Sequence, residues 1–303
     1  MNSFSSIFKK GLSFEDRVFV FMVYFIMLCA AVVAIYPLIY VVSASFSSPD
    51  AVSNGQVIFL PVDFSLEAYK AVFEYKDIWS GYANTIFIAI TGTVLNVFLT
   101  LMIAYPISRK SLFGRKQITF LLTFTMMFSA GMIPTYLLMQ NLGLVGSRMA
   151  VIILGLLPVR NVILARTFYM QTIGSELIEA AKIDGATEYK IMWQIIMPLS
   201  KSILAVIALF TFVDYWNEFF NSLIYLNDSS KYPLQLVLRE ILTLNTIDPS
   251  VMPLDPETMN AVQGMSELLK YAIIVVSSVP VMCLFPFAQK YFVRGVMTGA
   301  VKG

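Results

Sequence analysis

Residues 175–198 read SELIEAAKIDGATEYKIMWQIIMP and lie between two long apolar stretches of the chain. The segment is too polar to span a membrane, yet its first part is rich in strong helix formers. Ser175, followed by Ile178 and Glu179, predicts a helix with Ser175 as its N-cap and acidic residues in its first turn. Gly185 then breaks the pattern, because glycine accepts a positive φ. Pro198 precedes the next apolar stretch, so the sequence predicts a short surface helix, a turn and a second amphipathic piece.

The apolar stretches outward from this segment are long enough to cross a bilayer. About 20 residues span the hydrocarbon core as a helix. Three stretches carry no charge over 25 residues each, and a fourth carries none over residues 271–289. Two more contain internal charges but are otherwise equally apolar. The six predicted transmembrane helices cover about 18–42, 83–107, 118–142, 149–170, 201–226 and 269–289.

The composition of the 303-residue chain agrees with an all-α integral membrane protein. Its hydrophobic fraction is 58% and its charged fraction 13%, whereas soluble domains average about 45–50% and 25%. A net charge of +2 without a basic stripe argues against nucleic-acid binding. Histidine is absent, and both cysteines, Cys29 and Cys283, lie in apolar runs. The sequence therefore argues against a disulfide framework and a metal site.

The distribution of lysine and arginine predicts the orientation of the spans. With the N-terminus inside, fourteen of the 21 basic residues fall at the cytoplasmic side and six at the external side. Arg160 is the remaining one and lies within the membrane. Both termini and the 175–198 segment are therefore expected in the cytoplasm, and the first span is expected to be a retained anchor.

Polar residues within the fifth predicted span are functional candidates, because ionisable groups are costly at membrane depth. Four polar residues at helical spacing, beginning with Asp214 and ending with Asn221, would share one face. The adjacent face would carry four aromatic residues, namely Phe212, Tyr215, Trp216 and Phe219. Carboxylates, amides and aromatic rings suit sugars, so this face would line a substrate path. The alternative is that it only packs against a partner subunit. The candidates are Asp214, Tyr215, Trp216, Asn217, Glu218 and Asn221.

Arg160 is the least expected residue of the fourth predicted span. An unpaired arginine at mid-membrane is expensive, so a partner is predicted. Asp214 or Glu218 would serve within the chain. The alternative is that Arg160 meets the carboxylate of an acidic sugar in the transport cavity.

The segment with which we began carries a specific resemblance. Glu179-Ala180-Ala181, Gly185, Ile195 and Met197-Pro198 are similar, at every spacing, to the EAA signature of ABC importer permeases. The one departure is Met197, where leucine is usual in the family. Residues 183–186 and several other short stretches resemble the carbohydrate-importer branch, the smaller maltose-type permease subunit and a subgroup linked to complex-polysaccharide fragments. The resemblance covers nearly the whole chain.

This resemblance implies a type I ABC importer permease fold, with 1–303 as a single transmembrane domain and residues 175–190 as its cytoplasmic coupling helix. The helix would sit in a cleft of a separate ATPase subunit. No GxxxxGK[ST] occurs in the chain, so ATP and Mg would be bound by the partner, with no cofactor here and no enzyme activity. The implied ATPase-coupling residues are Glu179, Ala180, Ala181, Asp184, Gly185, Ile195 and Pro198.

The implied function is that of a permease subunit in an ATP-driven, binding-protein-dependent oligosaccharide importer of a prokaryotic cytoplasmic membrane. Its expected partners are a second homologous permease, two ATPase subunits and an extracytoplasmic solute-binding protein. Residues 227–267 match by position and length the family's loop that probes the binding protein. The alternative is a stand-alone secondary sugar carrier, in which Asp214 and Glu218 would bind the coupling ion.

Overall fold

A computed structural model describes residues 13–244 and 256–300, and helices dominate this part of the chain, which contains no β-strand. The α-helices are α1 (Phe14–Ser45), α2 (Pro49–Ser53), α3 (Glu67–Glu74), α4 (Lys76–Ser108), α5 (Arg115–Met127), α6 (Met132–Asn141), α7 (Arg148–Leu154), α8 (Val159–Thr172), α9 (Ser175–Ile183), α10 (Glu188–Ile191), α11 (Met197–Leu199), α12 (Lys201–Trp216), α13 (Phe220–Tyr225), α14 (Leu234–Leu244) and α15 (Pro256–Ala300). A π-helix covers Met192–Ile196 and a 3-10 helix covers Ser229–Lys231.

Three helices are individually long and apolar enough to cross a membrane. They are α1, α4 and the Gly264–Pro286 part of α15. Three bent pairs pass the same test together, namely α5 with α6, α7 with α8, and Glu188–Leu199 with α12. The described chain therefore has three to six candidate spans, and it has six if each bent pair crosses once.

The third and fourth predicted spans are not continuous helices, which corrects the sequence interpretation. Between α5 and α6 the axis turns by 112°, and Gly131 at the break has φ +86°. Between α7 and α8 it turns by 46°, with Pro158 as the residue before α8. A positive φ interrupts a right-handed helix, and proline removes a backbone donor and restricts the residue before it.

The fifth predicted span is also broken, so the prediction that four polar residues share one helical face is wrong. Helix α12 ends at Trp216 and α13 begins at Phe220. The Glu218 carboxylate accepts hydrogen bonds from the backbone N–H of Asn221 at 2.7 Å and from its side-chain amide at 2.8 Å. Such local bonds offer the backbone an alternative to a continued helix.

The chain groups into two compact units, one formed by residues 1–72 and 245–275 and the other by 73–244 and 276–303. The prediction of one permease domain stays a prediction. In the first unit, the ring of Phe46 stacks on Tyr69 of α3. In the second unit, α4 packs against α8, α12 and α14. Helix α14 (Leu234–Leu244) lies within the 227–267 segment that the sequence analysis assigned to a loop.

Candidate functional site

The 175–198 segment folds as the sequence predicts, with one correction at its start. Helix α9 begins at Ser175, but the capping position is Gly174 rather than Ser175. Two backbone hydrogen bonds close the turn. The Asp184 N–H donates to the Ala180 carbonyl at 3.0 Å, and the Ala186 N–H donates to the Ala181 carbonyl at 2.9 Å. Gly185 takes φ +77°, a conformation that favours glycine.

A second short helix is fixed directly after this turn. Thr187 caps α10, since its hydroxyl accepts the Lys190 N–H at 3.3 Å. Lys182 of α9 forms an ion pair with Glu188 of α10 at 2.6 Å. This hydrogen bond to the carboxylate raises the pKa of Lys182 above its usual value. The ion pair and the Thr187 cap therefore fix α9, the turn and α10 relative to one another.

One face of α9 is anchored in the core of the second unit. Ile178 is buried, and Ala181 packs on the same cluster, which contains Tyr169, Ile191 and Ile203. The motif residue Ile195, in the π-helix, is partly buried against this cluster as well. We call this group of residues the α9 cluster. The cluster consists of Leu101, Ala104, Tyr105, Ile107, Val162, Ala165, Tyr169, Ile173, Ile178, Ile191, Met192, Ile196, Ile203 and Ile207.

The opposite face of this segment is open. Five of the predicted coupling residues are exposed, namely Glu179, Ala180, Asp184, Gly185 and Pro198. Two large apolar side chains accompany them: Ile183 is 87% exposed and Tyr189 is 75% exposed. Apolar side chains this open, between charged neighbours and outside the predicted spans, are typical of a surface that receives a protein partner.

The charged residues of the predicted fourth and fifth spans meet as an ion pair. Arg160 of α8 donates a hydrogen bond to the Asp214 carboxylate of α12. The predicted internal partner Asp214 is thus confirmed, whereas Glu218 bonds to Asn221 instead. About half of each side chain is open, 54% for Arg160 and 51% for Asp214. The pair therefore lies at a surface that another molecule can reach.

Tyr215 and Trp216 lie inside the protein rather than on that open surface. Tyr215 is 4% exposed and donates its hydroxyl to the Ile152 carbonyl at 2.6 Å. Trp216 is 2% exposed and donates its indole N–H to the Ser277 carbonyl at 2.9 Å. With their polar atoms bonded to backbone, both side chains hold α12 in place. Of the six path candidates on the fifth span, Asp214 and Asn217 are exposed and Glu218 and Asn221 half-buried.

A buried polar cluster was missed by the sequence reasoning. The Asn96 side-chain carbonyl of α4 accepts from Thr211 of α12 at 2.9 Å, and its amide donates to the Leu156 carbonyl at 2.7 Å. Asn161 of α8 donates to Asn96 at 3.3 Å and to Thr211 at 3.0 Å. The three side chains link α4, α8 and α12. The sequence did contain a signal for this cluster, because an asparagine such as Asn96 inside an apolar, uncharged run needs a hydrogen-bond partner.

Comparison with known proteins identifies the class of this molecule. Residues 96–298 match the family described as "Binding-protein-dependent transport system inner membrane component". The chain belongs to this family. The permease is 38% identical over 290 residues to the polygalacturonan/rhamnogalacturonan transport system permease protein YtcP of Bacillus subtilis, with 95% of this chain and 100% of that protein covered.

Two further relatives support this membership. The permease is 30% identical over 278 residues to the arabinooligosaccharides transport system permease protein AraQ of Halalkalibacterium halodurans, covering 90% of this chain and 93% of that protein. It also superposes, with a TM-score of 0.81 and 35% identity, on a chain from the crystal structure of a bacterial ABC transporter involved in the import of the acidic polysaccharide alginate. That match covers 94% of this chain and 100% of the other.

These findings confirm the predicted family and the all-α ABC importer permease fold. They also confirm that the chain is a transport component and not an enzyme, and they decide against the stand-alone carrier. Among the described residues, no group of His, Cys, Asp and Glu could hold a metal ion. The roles of the individual coupling and substrate-path residues stay predictions.

Proposed function

We propose that this permease is one of two homologous membrane subunits of an ATP-driven oligosaccharide importer, and that α9 is its coupling helix. One observation carries the proposal: α9 buries one face in the protein and leaves Ile183 open on the other, and Tyr189 of the following helix α10 is open as well. Sugar-transport permeases among the relatives, including YtcP and AraQ, support the substrate class.

In this proposal the open face of α9 docks on an ATPase subunit that binds ATP and Mg. A second permease, a second ATPase subunit and an extracytoplasmic solute-binding protein complete the complex. The complex lies in the cytoplasmic membrane of a prokaryote, with both termini of the chain in the cytoplasm, as the lysine and arginine distribution supports. Residues 227–267 would touch the binding protein, and part of that segment, 245–255, lies outside the described residues.

Replacing Ile183 by aspartate tests the docking surface. Ile183 is 87% exposed, so the change leaves the core of the permease intact. Burying an isoleucine side chain contributes about 2 kcal/mol, so its loss weakens the ATPase contact about thirtyfold. The measurement is co-purification of the ATPase subunit in mild detergent, followed by ATP hydrolysis with loaded binding protein.

The matched control is Ile58→Asp, since Ile58 is also exposed, at 57%, and lies on the predicted external side. This variant should retain the ATPase subunit. Undiminished co-purification and full ATPase stimulation in Ile183→Asp would disprove α9 as the coupling helix.

We also infer that the imported oligosaccharides carry carboxylates. The accessible Arg160–Asp214 pair supports this, because half of the Arg160 side chain is open and its guanidinium has further N–H donors that a sugar carboxylate can use while Asp214 stays bonded. Relatives named for polygalacturonan/rhamnogalacturonan and for the acidic polysaccharide alginate agree with it. Uptake of oligogalacturonides and of matched neutral oligosaccharides, measured in proteoliposomes, tests the proposal. Arg160→Gln should depress uptake of the acidic set selectively, and an equal effect on both sets would refute it.

A further inference from the structure

A cavity of about 860 Å³ lies where α4 ends and α5 begins, apart from both the α9 surface and the Arg160–Asp214 pair. Residues from the loop after α4, the first turns of α5 and one residue of α8 line it. Four of the twelve lining residues are cations and none of the twelve is acidic. The cations are Lys110, Arg115, Lys116 and Arg166.

The positive charge of this cavity is not neutralised by the described part of the chain. The ion pairs found there join Arg160 with Asp214, Lys182 with Glu188 and Lys231 with Asp228, none of which lines the cavity.

Two of the cavity's cations, Arg115 and Arg166, come from different helices and line the same cavity, so their like charges repel each other. The Arg166 Nε donates to the Ile107 carbonyl at 3.2 Å, and Arg115 Nη2 contacts the Met170 sulfur at 3.8 Å. Neither contact cancels a charge, so an anion in the cavity would relieve the repulsion.

Apolar side chains beside the cations point to the kind of anion. Phe113 is 98% exposed and Phe120 is 67% exposed, and both line the cavity. Helix α5 starts at the cavity and continues into the third predicted span, which places the cavity at the membrane surface. At the membrane surface, cations can bind the anionic headgroup of a lipid while neighbouring exposed aromatic rings contact its apolar tail.

We propose that this cavity holds the phosphate-bearing headgroup of an anionic phospholipid from the cytoplasmic leaflet. Lys110, Lys116 and the two arginines bind the phosphate, and the Phe113 ring packs among the acyl chains. An acidic protein surface would match the charge, but the exposed Phe120 lies on α5 within the third predicted span, where acyl chains rather than a soluble protein would surround it.

The proposed lipid site is also connected to the α9 cluster. Leu112, which lines the cavity, packs on the α9 cluster. A bound headgroup therefore holds the 109–114 loop against the same cluster that anchors α9. Anionic lipid is thus expected to stabilise the arrangement through which α9 would receive force.

The test uses the purified transporter complex in neutral detergent, titrated with phosphatidylglycerol and with phosphatidylcholine, and lipid retention is read by native mass spectrometry. The double variant Lys110→Gln/Lys116→Gln keeps both arginines and their contacts. Each cation near a lipid surface changes affinity about fivefold, so this variant should bind phosphatidylglycerol about 25-fold more weakly. The control Lys70→Gln/Lys201→Gln removes two exposed lysines outside the cavity and should bind like the parent.

Three results would overturn the proposal. The first is equal retention of the two lipids by the parent complex, or undiminished phosphatidylglycerol binding by Lys110→Gln/Lys116→Gln. The second is full displacement of the lipid by inorganic phosphate or glycerol phosphate, which would indicate a site for a soluble phosphate. The third is loss of the ATPase subunit from the variant with unchanged lipid binding, which would indicate a protein contact.

Discussion

The contact between Gly92 and Tyr215 gives the sharpest test of how α12 is seated. A Cβ added at Gly92 of α4 would lie 2.3 Å from Tyr215 Cε2 and 2.5 Å from Cζ. On the other side, a Cβ at Gly155 would lie 2.9 Å from Cε1 of the same ring. The phenol is therefore held between two glycines, and its hydroxyl bonds to the Ile152 carbonyl. We expect Gly92→Ala to displace this ring.

The size of the effect follows from the distances. Carbon atoms in contact sit about 3.5–4.0 Å apart, so a ring met at 2.3 Å must move by more than about 1 Å. Overpacking of this kind costs about 1–3 kcal/mol, and losing the Tyr215 hydrogen bond adds about 1 kcal/mol. The gain in helix propensity from glycine to alanine offsets about 1 kcal/mol. The net expectation is a destabilisation of about 1–3 kcal/mol, following from these costs and this offset.

The assay is denaturant unfolding of the purified permease in detergent, followed by tryptophan fluorescence. The variants are Gly92→Ala, Tyr215→Leu and the double variant. Because the three atoms nearest to the added methyl group all belong to the Tyr215 ring, Tyr215→Leu should remove most of the Gly92→Ala penalty. The coupling between the two sites should then be at least about 1 kcal/mol. Parental stability of Gly92→Ala, or strict additivity in the double variant, would refute the reasoning.

Three further predictions concern the coupling turn, the buried polar cluster and the ion pair. Gly185→Ala places a side chain at φ +77°, which costs about 1–2 kcal/mol, and should lower the stimulation of ATP hydrolysis by loaded binding protein; full stimulation would contradict it. Asn96→Ala leaves the Asn161 amide short of a buried acceptor and should destabilise the permease in the unfolding assay by about 2–3 kcal/mol, far more than an exposed Asn227→Ala control. Arg160→Gln/Asp214→Asn should be more stable than Arg160→Gln alone, because only the single variant leaves a carboxylate without its partner; the reverse order would disprove the pairing.

The sequence alone was sufficient for the parts of the fold that rest on repeated signals. Twenty-five continuous, predominantly apolar and uncharged residues predict a helix through the membrane, and α1 and α4 cover the first two such runs. The α9 turn was equally readable, since one glycine stands where a polar helix stops.

Features that depend on one residue's backbone or on a distant partner could not be predicted in this way. A hydropathy pattern carries no information about the φ angle of Gly131, so the sequence did not predict the 112° bend between α5 and α6. Helical spacing placed Asp214 and Glu218 on one face, but the helix break after Trp216 separates them. The partners of Asn96 lie 60 and more residues away in the chain, so no local pattern names them.

The packing around α9 explains how a push on one surface helix can reach the membrane helices. Ile178 of α9 belongs to a buried cluster that also takes Leu101 from α4, Val162 from α8 and Ile203 from α12. Close-packed interiors deform little, so the cluster passes a displacement on rather than absorbing it. The ion pair between α9 and α10 joins the two helices, so we expect α10 to follow a displacement of α9.

After the ion-paired helices α9 and α10, the chain bends. The π-helix Met192–Ile196 leads to Ser200, whose hydroxyl donates to the Ile196 carbonyl, and the chain turns there by 76° into α12. A force applied to α9 would therefore enter α12 at its first turn and along a different axis. Because α12 carries Asp214 near its far end, we expect a tilt of α12 to shift the carboxylate relative to Arg160 of α8. The open ion pair is then the place where docking at α9 would change the surface offered to a substrate.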